Sequence, residues 1–244
     1  MSTPTVSIDP EAHLEGRLLK RYKRFLADVE LPGGEVVTVH CPNPGSMRGT
    51  DRPGSRVRCS TSDNPKRKLA HTLEMIRVGR VWVGLHTLRA NQLAGRALAA
   101  GTIEGLGGYS EVKAEAKVPA AISENSRLDF LLSGHPRRSE SCFVEVKSVT
   151  MAEGERGLFP DAVTERGRKH LEVLARLRDA GHRAALLFMV QRSDCASVSP
   201  ADAIDPAYAE TLRAVAEQGV EIIAVRARVT AARIRLEGTL PVVL

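Results

Sequence analysis

Two short segments of this sequence carry side chains that could do chemistry together. Arg127-Leu128-Asp129-Phe130 is followed, after a polar loop, by Phe143-Val144-Glu145-Val146-Lys147. In a β-strand successive side chains point to opposite faces. Leu128, Phe130 and Leu132 then share one face, and Asp129 takes the other. On the second strand Glu145 and Lys147 share a face, with Cys142, Val144 and Val146 opposite. A hairpin through His135 to Ser141 brings Asp129 beside Glu145, so two carboxylates and an ammonium converge. Carboxylate oxygens suit a hard cation such as Mg²⁺ or Mn²⁺. Such a cation polarises a phosphoryl group and lowers the pKa of a bound water. The pattern is that of a PD-(D/E)xK nuclease, with Asp129, Glu145 and Lys147 as catalytic candidates. A Glu-x-Lys triplet alone carries little information, since the chain has three: Glu111-Lys113, Glu115-Lys117 and Glu145-Lys147. The third alone follows a strand bearing an Asp and precedes a basic helix.

That helix supplies a second feature. Phe159-Pro160-Asp161-Ala162 leads to Thr164, a candidate N-cap, and then to Glu165-Arg166-Gly167-Arg168-Lys169-His170. Arg166, Lys169 and His170 fall on the first turns, where a phosphate is well received. Arg168, and the run Lys66-Arg67-Lys68 beside Asn64-Pro65, read equally well as solvated charge.

These residues need elements to hold them. The chain has 244 residues, 43% hydrophobic, 26% charged and 4% aromatic, enough for a sizeable core of one large domain or two small ones. Its apolar runs, such as Ala184 to Val190, are far below the roughly 20 residues that cross a bilayer. The start, MSTPTVSIDP, lacks basic and apolar export signals, so a cytoplasmic location is expected, with no membrane partner and with Cys41, Cys59, Cys142 and Cys195 reduced. Residues 1–100 hold 16 Lys+Arg against 9 Asp+Glu, and residues 101–244 hold 19 against 20. A basic front half suits a polyanion partner.

Turn signals at Pro32-Gly33-Gly34, Pro42 to Gly45, Pro53-Gly54 and Asn64-Pro65 separate β-prone stretches at Glu35–His40, Ser55–Cys59, Leu73–Val78 and Val81–His86. Short strands at this spacing predict a small barrel or sandwich. Arg17 to Leu26 leans to a helix by periodicity alone. Beyond it, a helix over Leu88–Ala100 is followed by strands at Ser110–Val118, Arg127–Leu132 and Cys142–Val149. A helix at Glu165–Ala180, a strand at Ala184–Val190, a helix at Pro206–Gln218 and a strand at Val220–Val225 complete an α/β domain.

Several of these stretches resemble the sugar fermentation stimulation protein A family, over nearly the whole chain. The matching residues are Arg21-Tyr22-Lys23-Arg24-Phe25, His40-Cys41-Pro42-Asn43-Pro44-Gly45-Ser46-Met47, Lys66-Arg67-Lys68 with Thr72-Leu73-Glu74, Asn125-Ser126-Arg127-Leu128-Asp129, Glu145-Val146-Lys147-Ser148-Val149-Thr150, Phe159-Pro160-Asp161-Ala162, and Arg166-Gly167 with Lys169-His170-Leu171. The resemblance implies an N-terminal OB-like barrel over residues 1–86 and a C-terminal PD-(D/E)xK nuclease-like α/β domain over 87–244. It also implies DNA as partner, and a strand rather than a helix at Arg17–Leu26. The expected DNA contacts are Arg17, Lys20, Arg21, Lys23, Arg24, His40, Asn43, Ser46, Lys66, Arg67 and Lys68 on the barrel, with Arg166, Lys169 and His170 beside the nuclease-like site. Tyr22, Phe25 and Trp82 are the aromatics available for stacking. Carried over onto this chain, Asp129 and Glu145 are the implied cation ligands and Lys147 the implied catalytic lysine. Two departures stand out. Pro44 occupies a position where the family pattern has Thr, and Leu88–Ala100 has no Glu, with Arg96 at about the expected place, so that Glu115 is the candidate third ligand. Binding is expected to be largely sequence-independent and steeply weakened by salt; a DNA-binding regulator of sugar metabolism with a silent site is the alternative.

Overall fold

The computed structural model describes residues 5–244. A two-residue strand, β1 (Ser7–Ile8), comes first and pairs with the end of the chain rather than with its sequence neighbours. Next come β2 (Leu14–Tyr22), β3 (Leu26–Glu30), β4 (Val36–His40), β5 (Arg56–Thr61), β6 (His71–Val78) and β7 (Val81–Gly84). They pair in the order β4-β3-β2-β5-β6-β7, and a parallel contact between His40 and Thr72 closes β2 to β6 into an OB barrel. Its interior is small and apolar: Leu18, Ala27, Val29, Val39, Cys41, Val57, Cys59, Leu73 and Ile76.

Arg17–Tyr22 is strand, as the resemblance implies and against the helical periodicity, and Lys23–Phe25 is a turn that leads into β3 at Leu26. The pattern divides where Lys23 and Arg24 take left-handed backbone, with φ of 47° and 64°, and turn β2 into β3. Leu18 then points into the barrel, while Leu19 and Phe25 stay exposed, so the apparent stripe is two strand faces joined by a turn.

The α/β domain follows as α1 (Thr87–Ala99), β8 (Glu111–Lys117), β9 (Arg127–Ser133), β10 (Cys142–Val149), β11 (Met151–Glu153), β12 (Arg156–Phe159), α2 (Glu165–Asp179), β13 (Arg183–Val190), β14 (Ser197–Pro200), α3 (Pro206–Glu217), β15 (Glu221–Val229) and β16 (Ile234–Leu240). The main sheet runs β1-β16-β15-β13-β10-β9-β8. Its centre, β10, β13 and β15, is parallel, and the flanks are antiparallel. All eight residues of β13 are buried, because helices cover both faces. Ala90, Leu93, Ala94 and Ala97 of α1 pack on one face with Val144, Val146, Leu187 and Met189. Leu171 and Leu174 of α2 and Leu212 of α3 pack on the other with Phe143, Leu186, Phe188 and Val190. The short ribbon β11-β12-β14 and strand β16 lie outside the sequence expectation. No helix among the described residues is long and apolar enough to cross a membrane, and all four cysteines are buried and unpaired.

The barrel and the α/β domain share a polar seam. Glu74 of β6 is 1% exposed and receives two hydrogen bonds from Arg89 of α1, at 2.9 and 3.0 Å, plus one from Ser60 Oγ at 2.7 Å. Removing one partner of a buried pair strands the other charge, at a cost of about 3–5 kcal/mol. Arg89→Ala is therefore expected to destabilise the protein by that amount in urea unfolding, whereas Gln92→Ala, a neighbour that merely touches Arg89, should change it by less than about 0.5 kcal/mol.

Candidate metal and phosphodiester site

The site forms where two strands part. β9 and β10 pair antiparallel through Cys142–Leu132, Phe143–Leu131 and Val144–Phe130, and the ladder stops there. The next inward N–H of β10, on Val146, is met not by a β9 carbonyl but by the carboxylate of Asp129, at 2.7 Å. The Asp129 side chain thus replaces a rung of the sheet. Its other oxygen accepts from Asn91 Nδ2 of α1 at 2.7 Å. The expected hairpin is present, but its pairing ends before Asp129, which turns to the Val146 N–H while sharing a cleft with Glu145. Leu128 follows the divergence and packs with the α2 face, not with Phe130 and Leu132.

Glu145 and Lys147 do share a face, the one covered by α2. Glu145 is 4% exposed. Its carboxylate takes a hydrogen bond from Lys147 Nζ at 2.7 Å and a very close one from His170 Nδ1 of α2. Burial pushes this carboxyl upward, but the Lys147 charge and the His170 hydrogen bond outweigh it and hold the group below the ordinary range. Asp129 goes the other way. Burial, then the charge of Glu145, push it up to about 6, against the opposing hydrogen bond from Val146 N–H. Two carboxylates within electrostatic reach thus have opposite shifts, because the local cations serve one of them.

Glu115 is the third acidic group. In the β8–β9 register Ala114 pairs with Phe130 and Ala116 with Leu128, so Glu115 lies opposite Asp129 at a position the ladder skips. Its φ of 51° explains the skip. Glu115, Asp129 and Glu145, from three adjacent strands, line one cleft of ≈ 420 Å³ with Arg127, Arg166 and His170. Among the described residues no three His, Cys, Asp or Glu side chains stand close enough to form a metal site unaided. The carboxylates border the cleft without meeting at a point.

A second cleft, ≈ 530 Å³, adjoins it between the barrel and the α/β domain. Arg24, Asn43 and Gly45 line it from the barrel, Thr87 and Asn91 from α1, and Lys147, Val163 and Arg166 from the rest of the α/β domain. Arg166 borders both clefts. The Asn43–Met47 loop of the barrel wall is held from both sides. Arg21 donates to the carbonyls of Asn43, Gly45 and Ser46, at 3.0, 2.8 and 3.2 Å. From the other domain, the Asp161 carboxylate accepts from Met47 N–H at 2.8 Å, and the Asp161 carbonyl accepts from Ser46 Oγ. Gly45 is needed for this approach, since a Cβ there would collide with both Asp161 carboxylate oxygens. Two sequence motifs more than a hundred residues apart, CPNPGSM and FPDA, are thus one joint.

The expected DNA contacts scatter. Arg24, Asn43 and Arg166 line the interdomain cleft, and His170 is turned to Glu145. Arg21 and Ser46 are spent on the joint. Lys20 pairs with Asp28 at 3.4 Å, Arg17 donates to Gly54 O at 3.0 Å, and Arg67 donates to Thr72 Oγ1 at 2.7 Å. Lys23, Lys66, Lys68 and Lys169 are exposed, and none of them lines either cleft. His40, at the end of β4, is half-buried and held below its usual pKa by burial and by Arg67. Arg96, expected near the site, instead donates to Ser7 O at 2.6 Å on the far side of α1. The α1 residue that reaches the site is Asn91, which no spacing rule singled out.

Comparison with known proteins bears on the whole chain. The family model described as the sugar fermentation stimulation protein RE domain matches residues 88–233, and that of the SfsA N-terminal OB domain matches residues 19–85. A sugar fermentation stimulation protein homolog of Halorhodospira halophila is 56% identical over 230 residues, covering 93% of this chain and 94% of that one. A homolog from Geobacter metallireducens is 50% identical over 229 residues, covering 94% and 96%. The structure of Pyrococcus furiosus SfsA in complex with Ca²⁺ superposes with a TM-score of 0.85 at 25% identity, covering all of both chains.

Two outcomes follow from the geometry. Gly45→Ala forces Asp161 away from Met47 N–H and is expected to cost about 1–3 kcal/mol in urea unfolding; an unchanged midpoint would show that the joint is slack. Asp129 is protonated more readily in the folded chain than in the unfolded one, where its pKa is near the ordinary 3.8. Folding is therefore favoured at low pH by this group, and the benefit is lost as pH rises from about 4 through about 6. Without divalent cations, Asp129→Asn should be more stable than the parent at pH 8 by on the order of 2 kcal/mol, the Asn91 amide turning to offer its oxygen, and the gain should vanish near pH 4.

Proposed function

Because this chain belongs to the sugar fermentation stimulation protein family, we propose that it is a DNA-binding protein whose α/β domain carries a divalent-cation-dependent phosphodiesterase site. One observation carries the reading. Glu115, Asp129 and Glu145 share a cleft with Arg127 and Arg166, beside Lys147. Carboxylates for a cation and guanidiniums for a polyanion are thereby mixed at one opening.

The donor set fits a hard cation. Asp129 and Glu145 would hold Mg²⁺ or Mn²⁺, with Glu115 as a further oxygen donor on the same cleft. The relative from Pyrococcus furiosus was solved with Ca²⁺, which has the same preference for oxygen. Once bound, such a cation polarises the phosphoryl group and lowers the pKa of a bound water. The remaining work belongs to this chain's residues. Asn91 and the Val146 N–H hold Asp129 in a fixed orientation. His170 keeps Glu145 ionised and correctly turned. Lys147 borders the interdomain cleft while bonded to Glu145, so its ammonium is placed to steady charge on a phosphate or to orient water. Arg127 and Arg166 draw in the backbone, with no dependence on base sequence.

A second reading, a DNA-binding regulator with a silent site, is favoured by the closure of Glu145 on Lys147 and His170. One assay separates them. With Mg²⁺ or Mn²⁺ the protein is expected to cut DNA, and Asp129→Ala and Lys147→Ala are each expected to slow cutting by about 100-fold or more while retaining salt-dependent DNA binding. Binding without cleavage of single- or double-stranded DNA under either cation leaves the regulator reading in its place.

A further inference from the structure

The interdomain cleft has features that phosphate attraction alone does not call for. Val163, which lines it, is 72% exposed. Leu158 and Phe159 line the same cleft, so an exposed apolar side chain and two half-buried ones share one opening. The cations there are also uncommitted. Arg24 and Arg166 make no ion pair among the described residues, while Lys20, Arg56, Arg58 and Arg89 of the barrel and seam are paired with acids.

Resting on the function proposed above, we infer that the substrate enters this cleft as an unpaired single strand of DNA, its phosphates between Arg24 and Arg166 and its bases against the apolar lining of Val163, Leu158 and Phe159. The space argues for one strand. A volume of ≈ 530 Å³ falls within the range of about 300–1,000 Å³ that takes one compact ligand. A cleft of that size matches a nucleotide or two of one strand better than the width of a duplex. The walls do not give way easily either, because Arg21 and Asp161 pin the Asn43–Met47 loop from two sides. Apolar side chains beside cations are the pairing that single strands use, since every unpaired base has a face to stack and duplex bases do not offer theirs. Arg166 borders the carboxylate cleft as well, so a strand held here is continuous with the proposed scissile position. This route differs from binding along the outer wall of the barrel, where Lys23, Lys66 and Lys68 are exposed.

Fluorescence anisotropy in EDTA, with a labelled oligothymidylate of about 20 nucleotides and a blunt duplex of equal length, tests the inference. The single strand is expected to bind at least about tenfold more tightly than the duplex. Arg24→Glu and Val163→Asp are each expected to weaken single-strand binding about tenfold and to remove the preference, with duplex binding little changed. Arg80→Glu, on the exposed turn between β6 and β7 outside the cleft, is expected to weaken both forms by less than about threefold. Circular dichroism of each variant confirms that it is folded. Equal binding of the two forms, or equal effects of the Arg24 and Arg80 changes, overturns the single-strand route while leaving cation-dependent cleavage to stand on its own assay. Failure to bind either form overturns the route and the proposed function together.

Discussion

One side chain standing in for one rung of a β-ladder sets up the rest of the site. Asp129 accepts the Val146 N–H that a β9 carbonyl would ordinarily receive, so β9 and β10 separate without leaving a buried donor unpaired. The separation leaves a cleft that Leu128, Glu145 and, from β8, Glu115 line. It also leaves Asp129 half-desolvated beside Glu145 with no cation of its own, which is why the two carboxyls titrate in opposite directions. The cation site proposed above is thus a cleft in which one of the acidic groups has no ion-pair partner of its own among the described residues.

The second constraint is the joint between domains. A barrel loop forms one wall of the cleft only because Arg21 gathers its carbonyls and Asp161 grips its N–H. Glu74 and Arg89 fix the same two bodies on another side. The wall is therefore tied to both domains, and the OB barrel contributes directly to the lining of the cleft. The terminal strand β1 reinforces this by joining the α/β sheet.

Much of this was legible in the sequence, for definite reasons. Strand alternation placed Glu145 and Lys147 on one face, and the helix carrying Arg166 and His170 announced itself through the Thr164 cap, whose hydroxyl accepts from Gly167 N–H. The continuous apolar run of β13 marked a strand covered on both sides. What stayed hidden depends on tertiary partners. Asn91 is an ordinary polar helix residue until β9 comes beneath it. Arg21 looked like a phosphate contact, and its destination, three carbonyls of a loop twenty-odd residues away, has no local signature. β16 lies near the sheet edge, paired with β15 and two-residue β1, and Arg235, Glu237 and Gly238 blur its alternation. Periodicity misread Arg17–Leu26 because a turn at two left-handed residues joined two strand faces into the likeness of a helical stripe.

The measurement closest to the central claim is the anomalous difference map of a crystal soaked in Mn²⁺. An ion in the cleft lined by Asp129 and Glu145 is the result expected. A map empty at that position, with the Lys147–Glu145–His170 contacts intact, would contradict it and leave the parted strands as a structural device alone.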